Sequence, residues 1–208
     1  MNIKALLVDF DGTLVNSVPA LWKCYQAFLQ QYNVLAIQAE FNQFIGPSLL
    51  EITKTLKWRY GLPGSVEDLH REYLTIISRR YVEGIELFPE ALAVLNEMKG
   101  SGMHLALVTS APYGLVHAFF EQYSLQNVFE KIIAYSSGEP SKPDPAPYKR
   151  ALRELNVLPD EAIAIEDSEN GITSARGAGI VVIEFSEQGG WNEVRAQINL
   201  MKSTGSGQ

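Results

Sequence analysis

Residues Ala5–Ser17 read ALLVDFDGTLVNS, and the fold turns on how that stretch is parsed. The apolar run that ends at Val8 fits a strand buried on both faces of a parallel sheet, because such strands lack polar alternation. Asp9 and Asp11 follow, then Gly12 and Thr13. A glycine here lets the chain turn sharply and lets backbone approach a ligand closely. Two anionic groups thus arrive at the carboxyl end of a strand, the edge where open α/β sheets bind ligands. Like charges so near each other are costly unless a cation joins them or one is protonated. The plainer reading is an ordinary Asp-Gly turn, and the rest of the chain has to decide between the two.

Immediately after Ser17 the period changes. Leu21, Trp22, Tyr25, Phe28 and Leu29 recur at helical spacing. Further helices are expected over about Ser48–Tyr60 and Ser65–Tyr81, the latter opened by the Ser65/Asp68 start signal. Nothing between Asn16 and Gly84 reads as a strand, and an ordinary crossover needs only about a dozen residues. Residues 16–87 are therefore expected to be an inserted helical domain, with 1–15 and 88–208 forming the core. From Phe88 the rhythm is α/β. Helices are expected over Pro89–Lys99, Pro112–Tyr123, Pro145–Leu155 and Asn170–Ala178. Strands are expected over His104–Val108, Ile132–Tyr135, Ala162–Ile165 and Ile180–Phe185. Such alternation means a doubly wound, Rossmann-like parallel sheet with all strand carboxyl ends on one edge.

That edge collects polar residues. Thr109 and Ser110 end the second strand before a helix, where hydroxyls and free N–H groups can hold phosphate; Ser110 can equally be a plain helix cap. Ser141-Lys142-Pro143-Asp144-Pro145 follows the third strand. A lysine in that stiff segment could supply a fixed positive charge, or simply be a solvated loop residue. Glu166-Asp167-Ser168 ends the fourth strand. Oxygen-rich carboxylate clusters suit Mg²⁺, although Asp167 or Ser168 could also be only a cap. Each signal is weak alone. Their arrival at successive strand ends, in this order, is what carries weight.

With these motifs in hand, the chain resembles the haloacid dehalogenase superfamily, in its phosphatase-like branch with a helical cap inserted after the first motif. DFDGTLVNS resembles the first motif, VTS the second, SKPDP the lysine motif and IEDSENGITSARGAG the acidic fourth. The resemblance implies Asp9 as nucleophile, Asp11 as general acid/base, Thr109 as phosphate-binding hydroxyl and Lys142 as charge stabiliser. It also implies Glu166 and Asp167, with Asp9 and the Asp11 carbonyl, as the Mg²⁺ end. The activity implied is hydrolysis of a sugar phosphate or phosphoglycolate through an aspartyl-phosphate. Ser110 joins the expected phosphate site, and Gly46 and Ser48 the expected substrate-facing surface of the cap. Lys57, Arg59, Arg79 and Arg80 are the cap cations available to the substrate, though such side chains are commonly solvated. The alternative is a sugar phosphomutase. Against it, similar mutases carry a histidine where Leu21 stands and an arginine where Leu49 stands. Asn16 replaces a usual aspartate and puts the hinge hydrogen bonding in question. A non-catalytic binding protein on this fold would not need all five of Asp9, Asp11, Thr109, Lys142 and Asp167.

Composition is that of a soluble globular protein: 46% hydrophobic, 20% charged, net charge −7. That acidity argues against nucleic-acid and anionic-membrane partners. A lone cysteine, Cys24, is expected to be a buried structural thiol in a cytoplasmic protein. Met1–Phe10 is too short and too interrupted for a signal peptide. A monomer or weak homodimer is expected, with Lys202–Gln208 a fraying tail.

Overall fold

A computed structural model describes residues 2–136 and 138–204, without the side chains of 81–83 and 204. Residues 205–208, most of the tail expected to fray, lie outside the described residues. The sheet is five-stranded and parallel, in the order β3-β2-β1-β4-β5. Its strands are β1 (Ala5–Val8), β2 (His104–Pro112), β3 (Lys131–Tyr135), β4 (Ala162–Glu166) and β5 (Val181–Glu184). β1 is the middle strand, flanked by β2 and β4, and every residue of it is buried.

Period-two alternation along β1 separates the two layers of the core. Leu6 and Val8 join Phe10 in the larger cluster, with Val94, Phe119 and Trp191. Ala5 and Leu7 face a smaller one built from α7 (Ala146–Leu155) and α8 (Glu169–Gly177) through Tyr148, Ala151, Leu152 and Ala175. Small residues on this second face of the central strands, Ala106, Ala162 and Ala164 among them, let those helices pack close. Register does the rest. Val8 lies level with Leu107 on one side and Ile165 on the other. The residues that follow, Asp9, Val108 and Glu166, are thereby brought abreast at the sheet's carboxyl edge.

Between β1 and β2 lie α1 (Val18–Gln30), α2 (Gln38–Phe41), α3 (Leu49–Tyr60), α4 (Val66–Gly84) and α5 (Ala91–Gly100). Ser48 caps α3 in a capping box with Glu51, and Gly61 ends it at φ 60°; Ser65 caps α4. The two linkers to this helical stretch run side by side: Asn16 N–H donates to Glu86 O at 2.9 Å and Phe88 N–H to Leu14 O at 3.0 Å. Asn16 thus has a backbone partner at the joint. Cys24 is buried as expected, and burial pushes its thiol up to about 11, well away from reactivity.

Two expectations at element ends fail. β2 continues to Pro112, so α6 (Tyr113–Tyr123) begins after it and Ser110 caps no helix. Lys202 belongs to α9 (Gly190–Thr204) rather than to a loose tail. That helix is anchored by Trp191, fully buried, whose Nε1 donates to Thr13 O at 3.0 Å. Among the described residues no helix is long and apolar enough to cross a membrane.

Candidate active site

Lys142 is the centre of the site. It is 1% exposed, and its ammonium donates to Asp9, to Glu166 and, at 2.9 Å, to Val108 O. Tyr148 braces the arrangement from below: its hydroxyl donates to Glu166 Oε1 at 2.6 Å, and the Lys142 ammonium lies 5.4 Å from its ring centre. Burial would pull the lysine's pKa down. Asp9 and Glu166 outweigh that and hold it above its usual range, so the group is a permanent cation. A cation so buried and so satisfied by hydrogen bonds is a fixed charge, unlike the solvated loop lysine of the plainer reading.

Asp9, Glu166 and Asp167 offer carboxylate oxygens that all lie within 4.8 Å of one another. One lysine cannot neutralise three clustered carboxylates, two of them buried and Asp167 half-buried. Burial raises Asp9 despite Lys142; burial and then Asp9 push Glu166 up to about 7; burial, Asp9 and Glu166 push Asp167 up to about 8. Such a surplus of oxygen donors, each resisting ionisation for want of positive charge, fits a hard divalent cation. The Asp11 carboxylate stands outside this cluster. It lines the adjoining cavity instead.

Two glycines make room for the acids. Gly12, at φ 88°, would put a Cβ 2.1 Å from Asp167 Oδ2, and Gly171 one 2.0 Å from Glu166 Oε2. Thr13 Oγ1 donates to Asp167 Oδ1 at 3.2 Å, while Ser168 caps α8 by accepting from Gly171 N–H at 3.1 Å. Ser168 is therefore the cap, and Asp167 is left for the cluster.

A cavity of about 90 Å³ opens on Asp9, Asp11, Thr109 and Ser110. Thr109 Oγ1 accepts from Ala111 N–H at 2.9 Å. Ser110 Oγ is buried with no hydrogen-bond partner among the described residues, as a hydroxyl reserved for a ligand would be. Gly46 and Pro47 reach the cavity. Ser48 does not line it: its hydroxyl caps α3 and its N–H donates to Ser141 Oγ at 3.0 Å. Lys57 is turned away, donating to Leu62 O and Gly64 O, and Arg59 is held by Glu40. Arg80 borders a different cavity, beside Asn16, Lys23 and Glu86, and Arg79 is exposed. The expected cap cations thus do not line this cavity.

The sequence motifs do not include Tyr148, and they carry Ser141 only as the first residue of SKPDP, without a role. Tyr148 is one more aromatic on a helix face, and nothing in its spacing announces that its hydroxyl reaches a strand end.

Comparison with known proteins shows what the chain is similar to. The family model described as haloacid dehalogenase-like hydrolase matches residues 6–185. A phosphoglycolate phosphatase of Colwellia psychrerythraea is 30% identical, the match spanning 85% of this chain and 81% of the relative. The crystal structure of CbbY from Rhodobacter sphaeroides in complex with phosphate superposes with a TM-score of 0.75 at 28% identity, covering 89% of this chain and 88% of that one. A crystal structure of a CbbY mutant in complex with xylulose-(1,5)-bisphosphate gives 0.73 at 26% identity, with the same coverage.

Proposed function

The chain belongs to the haloacid dehalogenase-like hydrolases and is a phosphoric monoester hydrolase among them, and from that premise we propose that it hydrolyses a small phosphorylated metabolite with Mg²⁺ through an aspartyl-phosphate on Asp9. The observation that carries this reading is the buried Lys142, bonded to Asp9 at the mouth of a cavity that Asp11, Thr109 and Ser110 also line.

A phosphoryl group repels a carboxylate nucleophile, and Lys142 offsets that repulsion from a fixed position. Mg²⁺, held by Asp9, Asp167 and the Asp11 carbonyl, would neutralise further phosphoryl charge. Glu166 spans both duties, since it stands in the carboxylate cluster while fixing Lys142. An Asp9 carboxylate oxygen forms a bond to phosphorus as the ester P–O bond breaks, and Asp11 gives its proton to the departing alcohol oxygen. Water then attacks phosphorus, Asp11 takes its proton, and the Asp9–phosphorus bond breaks to release orthophosphate. Thr109 and Ser110 receive the phosphoryl oxygens.

Residues 16–87 act as a cap over the core formed by 1–15 and 88–208. Leu21 and Leu49 both line the cavity. They offer no group to return a phosphoryl to a sugar, which favours hydrolysis over mutase chemistry. The test is release of orthophosphate from p-nitrophenyl phosphate. EDTA should abolish it and Mg²⁺ restore it, with Ca²⁺ a poor substitute because it prefers more ligands in looser geometry. No release with Mg²⁺ overturns the phosphatase reading; full rate in a demonstrably metal-free sample overturns the metal assignment.

A further inference from the structure

Beyond its acidic end, the cavity is walled by the helical insertion: Leu21, Phe44, Ile45, Leu49, Ile52 and Ile77. Among the described residues, no Lys, Arg or His lines it. Among the described residues of the insertion, Tyr73 is the one that lines the cavity and carries a hydrogen-bonding side-chain group. A second cavity, of about 320 Å³, shares Thr109 and Ser110 and is bordered by Lys149, Arg150 and Arg153. Neither Asp9 nor Asp11 reaches it. The oxygen that leaves phosphorus must meet the acid that protonates it, and Asp11 lines only the first of these two cavities. The alcohol half of the substrate therefore sits against the apolar wall.

We propose that the substrate is the phosphate monoester of a small, uncharged, mainly apolar alcohol, and that the helical insertion rejects esters whose alcohol carries a carboxylate or a second phosphate. This rests on the phosphatase reading above and narrows it. A second anion pressed on that wall would lose its hydration with no cation to replace it. An alkyl group there leaves water, each buried methylene being worth about fourfold in kcat/KM while room lasts.

The experiment compares kcat/KM for ethyl phosphate, n-butyl phosphate, phosphoglycolate and a pentose bisphosphate, with Mg²⁺ and with acetyl phosphate as the smallest substrate. The first three are primary alkyl esters, so their ratios report the wall more than leaving-group reactivity. Butyl phosphate should exceed ethyl phosphate and should exceed phosphoglycolate by at least about tenfold. Leu49→Arg puts a cation on the wall and should move the butyl-to-phosphoglycolate ratio toward phosphoglycolate by about tenfold or more; Leu21→Arg serves if thermal melting shows the first variant unfolded. Arg153→Ala, in the second cavity, should leave the ratio unchanged. Phosphoglycolate or the bisphosphate matching butyl phosphate in the wild type overturns the inference alone, as does a ratio that responds to Arg153 and not to the leucines. Failure to turn over even acetyl phosphate overturns the phosphatase reading and takes this inference with it.

Discussion

The sheet edge and the helical insertion face one cavity with opposite chemistry. From the strand ends come Asp9, Asp11, Thr109 and Ser110, backed by a lysine that is 1% exposed, by the buried Glu166 and by the half-buried Asp167. From the insertion come leucines, isoleucines and phenylalanines, and its cations are bonded or placed elsewhere. Each polar atom at the sheet edge is positioned by register, and a shift of one residue would dismantle the cluster. The insertion's wall needs only shape and the absence of charge. On the proposed function, the contrast says where each kind of specificity would reside: the charges for phosphoryl transfer in the sheet edge, and selection of the alcohol in the insertion's wall.

The comparison breaks most sharply at Asp9. Asp9→Asn keeps shape and most packing but removes the attacking charge, so kcat should fall at least on the order of 10³-fold, some 4 kcal/mol of barrier. Thermal stability should hold or rise, because a carboxylate that burial disfavours is gone while Lys142 keeps Glu166. Retention of more than about a tenth of the wild-type rate (roughly 1.4 kcal/mol) in a folded Asp9→Asn protein would show that the nucleophile lies elsewhere.

The same two regions differ in how far the sequence discloses them. β1, β2 and β4 are apolar runs closed by acids or hydroxyls, and a buried parallel strand has few other ways to be written. Their order alone implies that Asp9, Thr109, Lys142 and Asp167 meet at one edge. The insertion is legible as helices, through the Leu21–Leu29 face and the Ser48 and Ser65 caps, but not as a wall. Period 3.6 says which side of α1 is apolar, not whether Leu21 meets the core or a cavity. Charge misleads in the same way, since Lys57 and Arg59 look like substrate contacts until their partners, loop carbonyls and Glu40, are seen. α2 is too short to produce a period, and α9 opens on Gly190 directly after Gly189, a pair that hides the helix start; its anchor, the bond from Trp191 Nε1 to Thr13 O, shows only in the fold.

A smaller effect separates the regions by pH. Burial and the neighbouring carboxylates push Glu166 up to about 7 and Asp167 up to about 8 in the metal-free fold, above their ordinary range. The folded state therefore keeps protons that the unfolded chain has released, and it loses stability as pH rises from about 5 through 8. The loss should read as a lower melting temperature at pH 8 than at pH 5. Mg²⁺ should recover it, and so should raise the melting temperature of EDTA-treated protein more at pH 8 than at pH 5. Equal melting temperatures at the two pH values without metal would mean that the acidic cluster is already neutralised by the protein. The apolar wall has nothing comparable to titrate.

The smallest expected effect tests the division itself, at the polar ties between the insertion and the sheet edge. Asn170 Nδ2 on α8 donates to Ile45 O at 2.8 Å and to Gln43 O at 3.3 Å. Gly46, at φ 105°, lies so close that a Cβ there would stand 2.7 Å from Asn170 Cβ. One core residue thus seats the loop that carries Ile45, Gly46 and Pro47 into the cavity. Asn170 does not line that cavity, so it acts by positioning the wall. Asn170→Ala removes hydrogen bonds worth about 1 kcal/mol together, allowing for water to replace them. The result should be roughly a fivefold loss in kcat/KM for n-butyl phosphate, carried by KM, with kcat on acetyl phosphate within about twofold. The split between KM and kcat is what distinguishes positioning from general loosening. If kcat falls equally on acetyl phosphate and butyl phosphate in a folded Asn170→Ala protein, closure of the insertion contributes to the chemical step, and the two regions do not divide the labour as their chemistry suggests.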